Sequence, residues 1–180
     1  MIIFFGPVGA GKSVQGQQLA GKEGWQWIST GNLFRASTDP EIQAILASGQ
    51  LVSSERTYEV LSQALESNRH KQVILDGFPR KIEQAEWLLE NQAMLDYSVD
   101  IIIVVDVPKD EILSRLAGRG RPEDDAQIIE KRLAIYHEET EPLLDFLASR
   151  GVRVVHINGV GTPEVIHERV LEEMRAAHLL

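Results

Sequence analysis

The stretch Gly6-Pro-Val-Gly-Ala-Gly-Lys-Ser13 follows an apolar run, Met1–Phe5, near the start of the chain. Its spacing fits the pattern G-x-x-x-x-G-K-[ST], which is typical of a phosphate-binding P-loop. Glycines let backbone N–H groups turn toward phosphate oxygens, and the helix that follows directs its positive end at the same anion. Lys12 supplies a charge for the β- and γ-phosphates, and Ser13 supplies a hydroxyl close to Mg²⁺. The stretch therefore predicts a site for a nucleoside triphosphate.

Further apolar runs predict further strands, at residues 73–75, 101–105 and 152–157. The run Ile101–Val105 is too uniformly apolar for a strand with one face in water. Segments with helical periodicity alternate with the strands: Lys12–Ala20, Thr57–Glu66, Ile82–Met94, Lys109–Ala117, Ala126–Ala148 and Pro163–His178. This alternation predicts an α/β fold with a central parallel sheet, and ligands in such folds bind at the carboxyl ends of the strands.

The composition excludes several classes of protein. The chain has 180 residues, no cysteine and a formal net charge of −9, so we expect one domain without disulfides or thiolate metal sites. The five histidines lack ligand spacing, so we expect no zinc. Net acidity opposes non-specific nucleic-acid binding, and no apolar run approaches the ~20 residues of a membrane span. Without a recognisable leader, we expect a cytoplasmic protein with neither nucleic acid nor membrane as a partner.

Acidic residues end two of the predicted strands. Asp76 follows the run at 73–75, where a P-loop protein has a carboxylate that holds Mg²⁺. Asp106 follows the run at 101–105, and we interpret it as a turn residue. Asp76 is favoured as the metal residue because Gly77-Phe-Pro-Arg80 comes next, a rigid turn that brings an arginine to the same place.

An ordered series of motifs resembles the adenylate kinases, nucleoside monophosphate kinases of the P-loop class, here of a short-lid type. Family members read S-T-G-D-L-L-R, L-D-G-F-P-R with a Gln four residues on, R-x-x-x-R, G-R-x-D-D and K-R-L. This chain has Ser29-Thr-Gly-Asn-Leu-Phe-Arg35, Leu75-Asp-Gly-Phe-Pro-Arg80 with Gln84, Arg115-Leu-Ala-Gly-Arg119, Gly120-Arg121 and Lys131-Arg132-Leu133. The matches run in order from Ile2 to about Val165, and as an ordered set they are highly specific.

The resemblance implies a three-layer P-loop fold in a single domain, residues 1–180. It implies a helical insertion that binds the nucleoside monophosphate at about 29–58, and a very short lid at about 118–125. The implied reaction is the reversible, Mg²⁺-dependent transfer of the terminal phosphoryl group of ATP to AMP, giving two ADP. We expect a monomer, because both covers must move freely.

The resemblance also implies which residues bind each nucleotide. Those for ATP are Gly9, Ala10, Gly11, Lys12, Ser13, Val14, Arg115, Arg119 and Gly161. Those for AMP are Thr30, Gly31, Arg35, Gln50, Leu51, Val52, Gly77, Phe78, Pro79, Arg80, Gln84, Arg121 and Arg132. The implied catalytic residues are Lys12, Arg80, Arg119, Arg121 and Arg132, and the implied metal residues are Ser13 and Asp76.

The expected chemistry suits these residue types. Transfer between two polyanions needs cationic neutralisation and in-line positioning. Arginines serve this purpose because their planar guanidinium groups bind phosphate oxygens bidentately. An acceptor phosphate is already ionised, so no general base is required.

The sequence leaves three alternatives open. A pyrimidine (UMP or CMP) monophosphate kinase tends to carry Ala in place of Gly31 and Asn near the position of Gln84. A small-metabolite kinase would suit Lys12-Ser13, where the adenylate kinases have Lys-Gly-Thr, but its hydroxyl acceptor would call for a base. A nucleotide-binding regulatory protein that no longer catalyses would not need the set of arginines.

Overall fold

The computed structural model describes residues 1–118, 120–121 and 124–180. Within them, a parallel sheet has the strand order β2-β3-β1-β4-β5. The strands are β1 (Ile2–Phe5), β2 (Gln26–Ser29), β3 (Val73–Asp76), β4 (Ile101–Asp106) and β5 (Val154–Asn158). The predicted fold class, α/β with a central parallel sheet, is confirmed.

Helices connect the strands and cover both faces of the sheet. They are α1 (Lys12–Glu23), α2 (Thr30–Arg35), α3 (Pro40–Ala47), α4 (Ser54–Glu66), α5 (Ile82–Glu90), α6 (Gln92–Leu95), α7 (Lys109–Ala117), α8 (Ala126–Ile135), α9 (Pro142–Ser149) and α10 (Pro163–Ala176). Among these helices, none combines the length and the apolar composition needed to cross a bilayer.

Alternate side chains of the central strands point into two separate cores. Ile3 and Phe5 of β1 pack with α4, α5 and α9, whereas Ile2 and Phe4 pack with α1 and α10. β4 repeats this alternation, and none of its five apolar residues is more than 1% exposed. Burial on both faces explains why these strands are continuously apolar.

The predicted helix at 126–148 was wrong as one continuous element. Between α8 and α9 the chain makes a π-helical turn, Tyr136–Thr140, in which the Glu141 N–H donates to the Tyr136 carbonyl at 2.8 Å. Pro142 explains the break, since proline has no N–H to continue the helix and its ring would clash with the carbonyl four residues earlier.

The sequence pattern did not predict β2. Only Trp27 and Ile28 of this strand are apolar, which is too short a run to indicate a strand. Pairing with β3 stabilises it instead, with Ser29 in register with Asp76. This register brings the end of β2 to the carboxyl edge of the sheet, beside the glycine-rich loop that joins β1 to α1.

A histidine is buried between α1 and α10. His167 is 1% exposed, and its Nδ1 lies 3.2 Å from Gln15 Oε1. The Gln15 amide nitrogen donates to the Pro163 carbonyl at 2.9 Å, so the amide oxygen is left to accept from Nδ1. Among the described residues, Nε2 of His167 has no hydrogen-bond partner. The ring is therefore accommodated in its neutral form.

We expect the protein to lose stability in mild acid because of His167. Burial lowers the pKa of His167, and the Lys22 ammonium lowers it further, against the opposing Glu23 and Glu168 carboxylates. The folded pKa lies below the unfolded value of about 6.5, so the unfolded chain binds more protons as the pH falls. Urea unfolding between about pH 7.5 and about pH 5.5 should show a loss of up to about 1.4 kcal/mol per pH unit below the unfolded pKa.

A pair of variants separates this effect from general acid denaturation. His167→Leu should reduce the loss of stability in this pH range, whereas His178→Asn, at an exposed position, should leave the loss unchanged. An equally steep loss in His167→Leu would contradict the assignment of the effect to this residue.

Candidate active site

The glycine-rich loop holds the ammonium group of Lys12 at its centre. Gly9 and Gly11 have φ of 79° and 93°, values that residues with a Cβ rarely adopt. Lys12 Nζ donates to the carbonyls of Gly6 and Pro7 at 2.8 and 2.7 Å. The cation thus lies within the loop that the sequence predicts to bind phosphate.

A hydroxyl and a carboxylate meet beside this loop. Ser13 Oγ donates to Asp76 Oδ2 at 2.5 Å, and Asp76 is 4% exposed at the end of β3. Both groups offer oxygen atoms, the ligands that Mg²⁺ prefers. In the described part of the chain, no group of three or more His, Cys, Asp or Glu side chains could hold a metal ion.

A pocket opens next to the glycine-rich loop, beneath α2, α3 and the start of α4. It encloses about 1100 Å³, its open mouth included. Lys12 lines it from the loop side. The residues that the family resemblance implied for AMP also line it, with one exception, Arg121: Thr30, Gly31, Arg35, Gln50, Leu51, Val52, Gly77, Phe78, Pro79, Arg80, Gln84 and Arg132.

The main chain of Arg80 is held on both sides. Its N–H donates to Gln84 Oε1 at 2.8 Å, and its carbonyl accepts from Thr140 Oγ1 at 3.0 Å. The side chain is fixed as well, because Nε donates to the Gly77 carbonyl at 2.8 Å. Arg80 therefore presents its guanidinium group to the pocket from a preorganised backbone.

The turn before Arg80 requires glycine at position 77. Gly77 has a φ of 87°, and a Cβ there would lie 2.8 Å from Thr30 Oγ1 and 3.1 Å from Arg80 Nη2. The Thr30 hydroxyl donates to the Gly77 carbonyl at 2.9 Å, which ties the start of α2 to this turn. A cis peptide bond joins Phe78 to Pro79.

The pocket brings like charges close together. Burial lowers the pKa of the Arg80 guanidinium, the Arg35 guanidinium lowers it further, and the Asp76 carboxylate opposes both. Arg35 Nη2 donates to Asn32 Oδ1 at 2.6 Å, one turn away on α2. Arginine stays protonated despite such shifts, so the repulsion is a cost that a bound anion would relieve.

The end of α3 meets α8 over the pocket. Lys131 Nζ donates to the Ser48 carbonyl at 3.0 Å, two residues before the segment Gln50–Val52. Arg132, the next residue of α8, lines the same pocket. Segment 29–58 thus covers the pocket and contacts the opposite wall.

On the other side of the glycine-rich loop, Arg115 links the loop to the chain after β5. Its Nη1 donates to the Ala10 carbonyl at 3.3 Å and its Nη2 to the Gly159 carbonyl at 2.8 Å. Val14 and Gly161, the other predicted ATP residues near this loop, are exposed.

Comparison with known proteins agrees with this geometry. The family model described as Adenylate kinase matches residues 4–152 of the chain. The chain belongs to the adenylate kinase family. It is 36% identical to the adenylate kinase of Mycobacterium ulcerans (strain Agy99) over 180 residues, which cover 96% of this chain and 98% of that protein. It is 35% identical to the adenylate kinase of Bacteroides thetaiotaomicron, with 95% and 96% covered.

The segment predicted to form a short lid, at about 118–125, is described only in part. Arg119, which the sequence predicts to be catalytic and to bind ATP, lies outside the described residues. Arg121 is exposed, and its backbone N–H donates to Asp124 Oδ2 at 3.1 Å. The structure therefore does not bring Arg121 to the pocket that Arg80 and Arg132 line.

Among the pocket residues that sequence reasoning missed are Tyr136 and Thr140. Arg132, Tyr136 and Thr140 recur every four residues, and this spacing could have indicated that they share a face. Burial raises the pKa of Tyr136, and the nearby Glu141 and Asp106 carboxylates reinforce the shift, so its hydroxyl stays protonated.

Another residue that the sequence analysis does not single out, Arg169, supports the chain after β5. Although exposed, its Nη1 donates to the carbonyls of Asn158 and Val160, at 2.5 and 2.7 Å. The segment that leads to Gly161 is thus held by arginines from both α7 and α10.

Proposed function

We propose that this protein transfers the γ-phosphoryl group of ATP to AMP, giving two ADP, with AMP in the pocket beneath α2–α4. The ATP phosphates would lie on the glycine-rich loop. The observation that carries the proposal is that Lys12 of this loop lines the same pocket as Arg35, Arg80 and Arg132. Cations of both predicted nucleotide sites thus meet where a donor phosphate and an acceptor phosphate would be end to end.

Catalysis would consist of positioning and charge neutralisation. The acceptor phosphate of AMP is already ionised, so the residues need not remove a proton. Arg80 is fixed through its backbone and through Nε, which leaves its terminal nitrogens to bind phosphate oxygens bidentately. Lys12 would balance the charge that develops on the transferred group.

Ser13 and Asp76 would hold Mg²⁺. Their oxygens, 2.5 Å apart at the edge of the glycine-rich loop, fit the hard-oxygen preference of the ion. When bound with ATP, the ion neutralises charge on the β- and γ-phosphates.

We further propose that the protein is a cytoplasmic monomer. Its substrates would be the nucleotides of the cytoplasm, and the covers at 29–58 and 118–125 must open for them. Light scattering after gel filtration, with and without nucleotides, tests the monomer: a mass near 20.1 kDa is expected, and a stable dimer would contradict it.

A coupled assay of ADP formation tests the function. ATP is supplied with AMP, CMP, UMP, GMP or shikimate, and we expect the highest rate with AMP. The names of the relatives also favour AMP over the pyrimidine nucleotides. Rates highest with CMP or UMP would indicate a pyrimidine kinase. No reaction with any acceptor, alongside measurable ATP binding, would indicate a regulatory protein.

Thr140→Val should lower kcat/KM for AMP by roughly tenfold, because it removes the donor to the Arg80 carbonyl. Thr140→Ser keeps the hydroxyl and should restore most of the activity. Steady-state kinetics in AMP measure both. Equal activity of Thr140→Val and the unmodified protein would show that the carbonyl contact does not matter for catalysis.

A further inference from the structure

The side-chain amide of Gln84 has two protein partners in the pocket. Its Oε1 accepts from the Arg80 backbone N–H at 2.8 Å, and its Nε2 donates to Ser54 Oγ at 3.2 Å. Gln84 is 3% exposed and lines the pocket. Its amide is therefore held at both ends.

A third residue fixes the direction of these bonds. The Ser54 hydroxyl donates its hydrogen to the Glu83 carboxylate, which can only accept. The Ser54 oxygen is then available to Gln84 only as an acceptor, while the Arg80 N–H can only donate. Both contacts demand the same amide orientation. If the Gln84 amide were flipped, its NH₂ group would face the Arg80 N–H, and its oxygen would face the Ser54 oxygen. Neither pair could form a hydrogen bond.

The locked amide leaves a defined pattern for a ligand. One hydrogen of Nε2 and one lone pair of Oε1 are not used by Arg80 or Ser54. The edge of adenine offers the complement, with an acceptor at N1 and an amino donor at position 6. Hypoxanthine and guanine present the reverse, an N–H at N1 and an acceptor oxygen at position 6.

We propose that Ser54 and Glu83 are positioning residues that select a 6-aminopurine over a 6-oxopurine, by locking the orientation of the Gln84 amide. The inference rests on the proposed function, since it requires the acceptor base to lie against Gln84. Without the Ser54 contact, only the Arg80 N–H opposes rotation of the Gln84 amide into the orientation that matches a 6-oxopurine.

The test compares AMP with IMP as phosphoryl acceptors. The two nucleotides differ at the purine edge in the group at position 6 and in the hydrogen at N1. Ser54→Ala should lower the ratio of kcat/KM for AMP to that for IMP by roughly five- to tenfold, the factor of one hydrogen bond. The change should appear mainly in KM. Some selectivity should remain, because Ser54→Ala leaves the Arg80 N–H bonded to the Gln84 oxygen.

Further variants distinguish an effect on the orientation of the Gln84 amide from an effect on folding. Glu83→Gln can donate to Ser54 and thereby frees the hydroxyl hydrogen, so it should also lower the ratio. Ser54→Thr keeps the hydroxyl and should retain the ratio. Ser67→Ala, at the other end of α4, is the matched control. The ratio is measured within one preparation, so a loss of folded protein affects both acceptors equally.

The outcomes separate this inference from the proposed function. Phosphorylation of AMP by the unmodified protein, with an unchanged ratio in both Ser54→Ala and Glu83→Gln, would overturn the inference alone. An equal loss of both activities would assign Ser54 a structural role and would also overturn it. Failure of the unmodified protein to phosphorylate AMP would overturn both.

Discussion

Lys12→Met should reduce the rate of ADP formation from ATP and AMP by roughly 10²- to 10³-fold. The ammonium lies within the glycine-rich loop, bonded to the Gly6 and Pro7 carbonyls, and it lines the pocket. In the proposed mechanism it is the cation closest to the transferred group. Methionine has a similar length but no charge, so it should fill the space without the electrostatic effect.

Lys22→Met is the matched control, because Lys22 is an exposed lysine in the last turn of the same helix. It should retain full activity. Coupled assays at saturating ATP and AMP measure both variants, and circular dichroism checks their folding. A well-folded Lys12→Met variant with near-normal kcat would show that the glycine-rich loop does not take part in phosphoryl transfer.

Arg80→Lys should also reduce kcat/KM for AMP, by roughly a hundredfold. Lysine retains the charge but loses the planar fork that binds two phosphate oxygens, and it loses the Nε bond to the Gly77 carbonyl. The burial of Arg80 near Arg35 adds to the loss, since a lysine there is also easier to deprotonate.

Arg175→Lys, in the last turn of α10, tests whether any arginine would have this effect. This variant should have the same kcat/KM for AMP as the unmodified protein. Titration of AMP at fixed ATP separates binding from turnover in all three proteins. If Arg80→Lys retained normal kinetics in AMP, the pocket would not be the acceptor site.

Much of the site could be predicted because its motifs are local. The glycine-rich loop could be recognised from the sequence alone, because phosphate binding requires glycines, a lysine and a serine at this spacing. The predicted AMP residues came from the ordered family motifs, and all of them except Arg121 line one pocket. Each of these motifs spans only a few residues, so it can be recognised without knowledge of the tertiary structure.

What could not be predicted depends on contacts between distant segments. β2 forms through its pairing with β3, and its own residues are only half apolar. Thr140, in the π-helical turn before Pro142, donates to the Arg80 carbonyl, 60 positions away in the chain. Ser54 contacts Gln84, which lies 30 positions away. Neither contact has a sequence spacing that would indicate it.

The account holds that donor and acceptor bind end to end between the glycine-rich loop and the pocket. Calorimetric titration with a compound that joins two adenosines through a pentaphosphate tests this most directly. We expect one compound per chain, competition with both ATP and AMP, and weaker binding in Lys12→Met and in Arg80→Lys. Competition with ATP alone, with unchanged affinity in Arg80→Lys, would contradict the account.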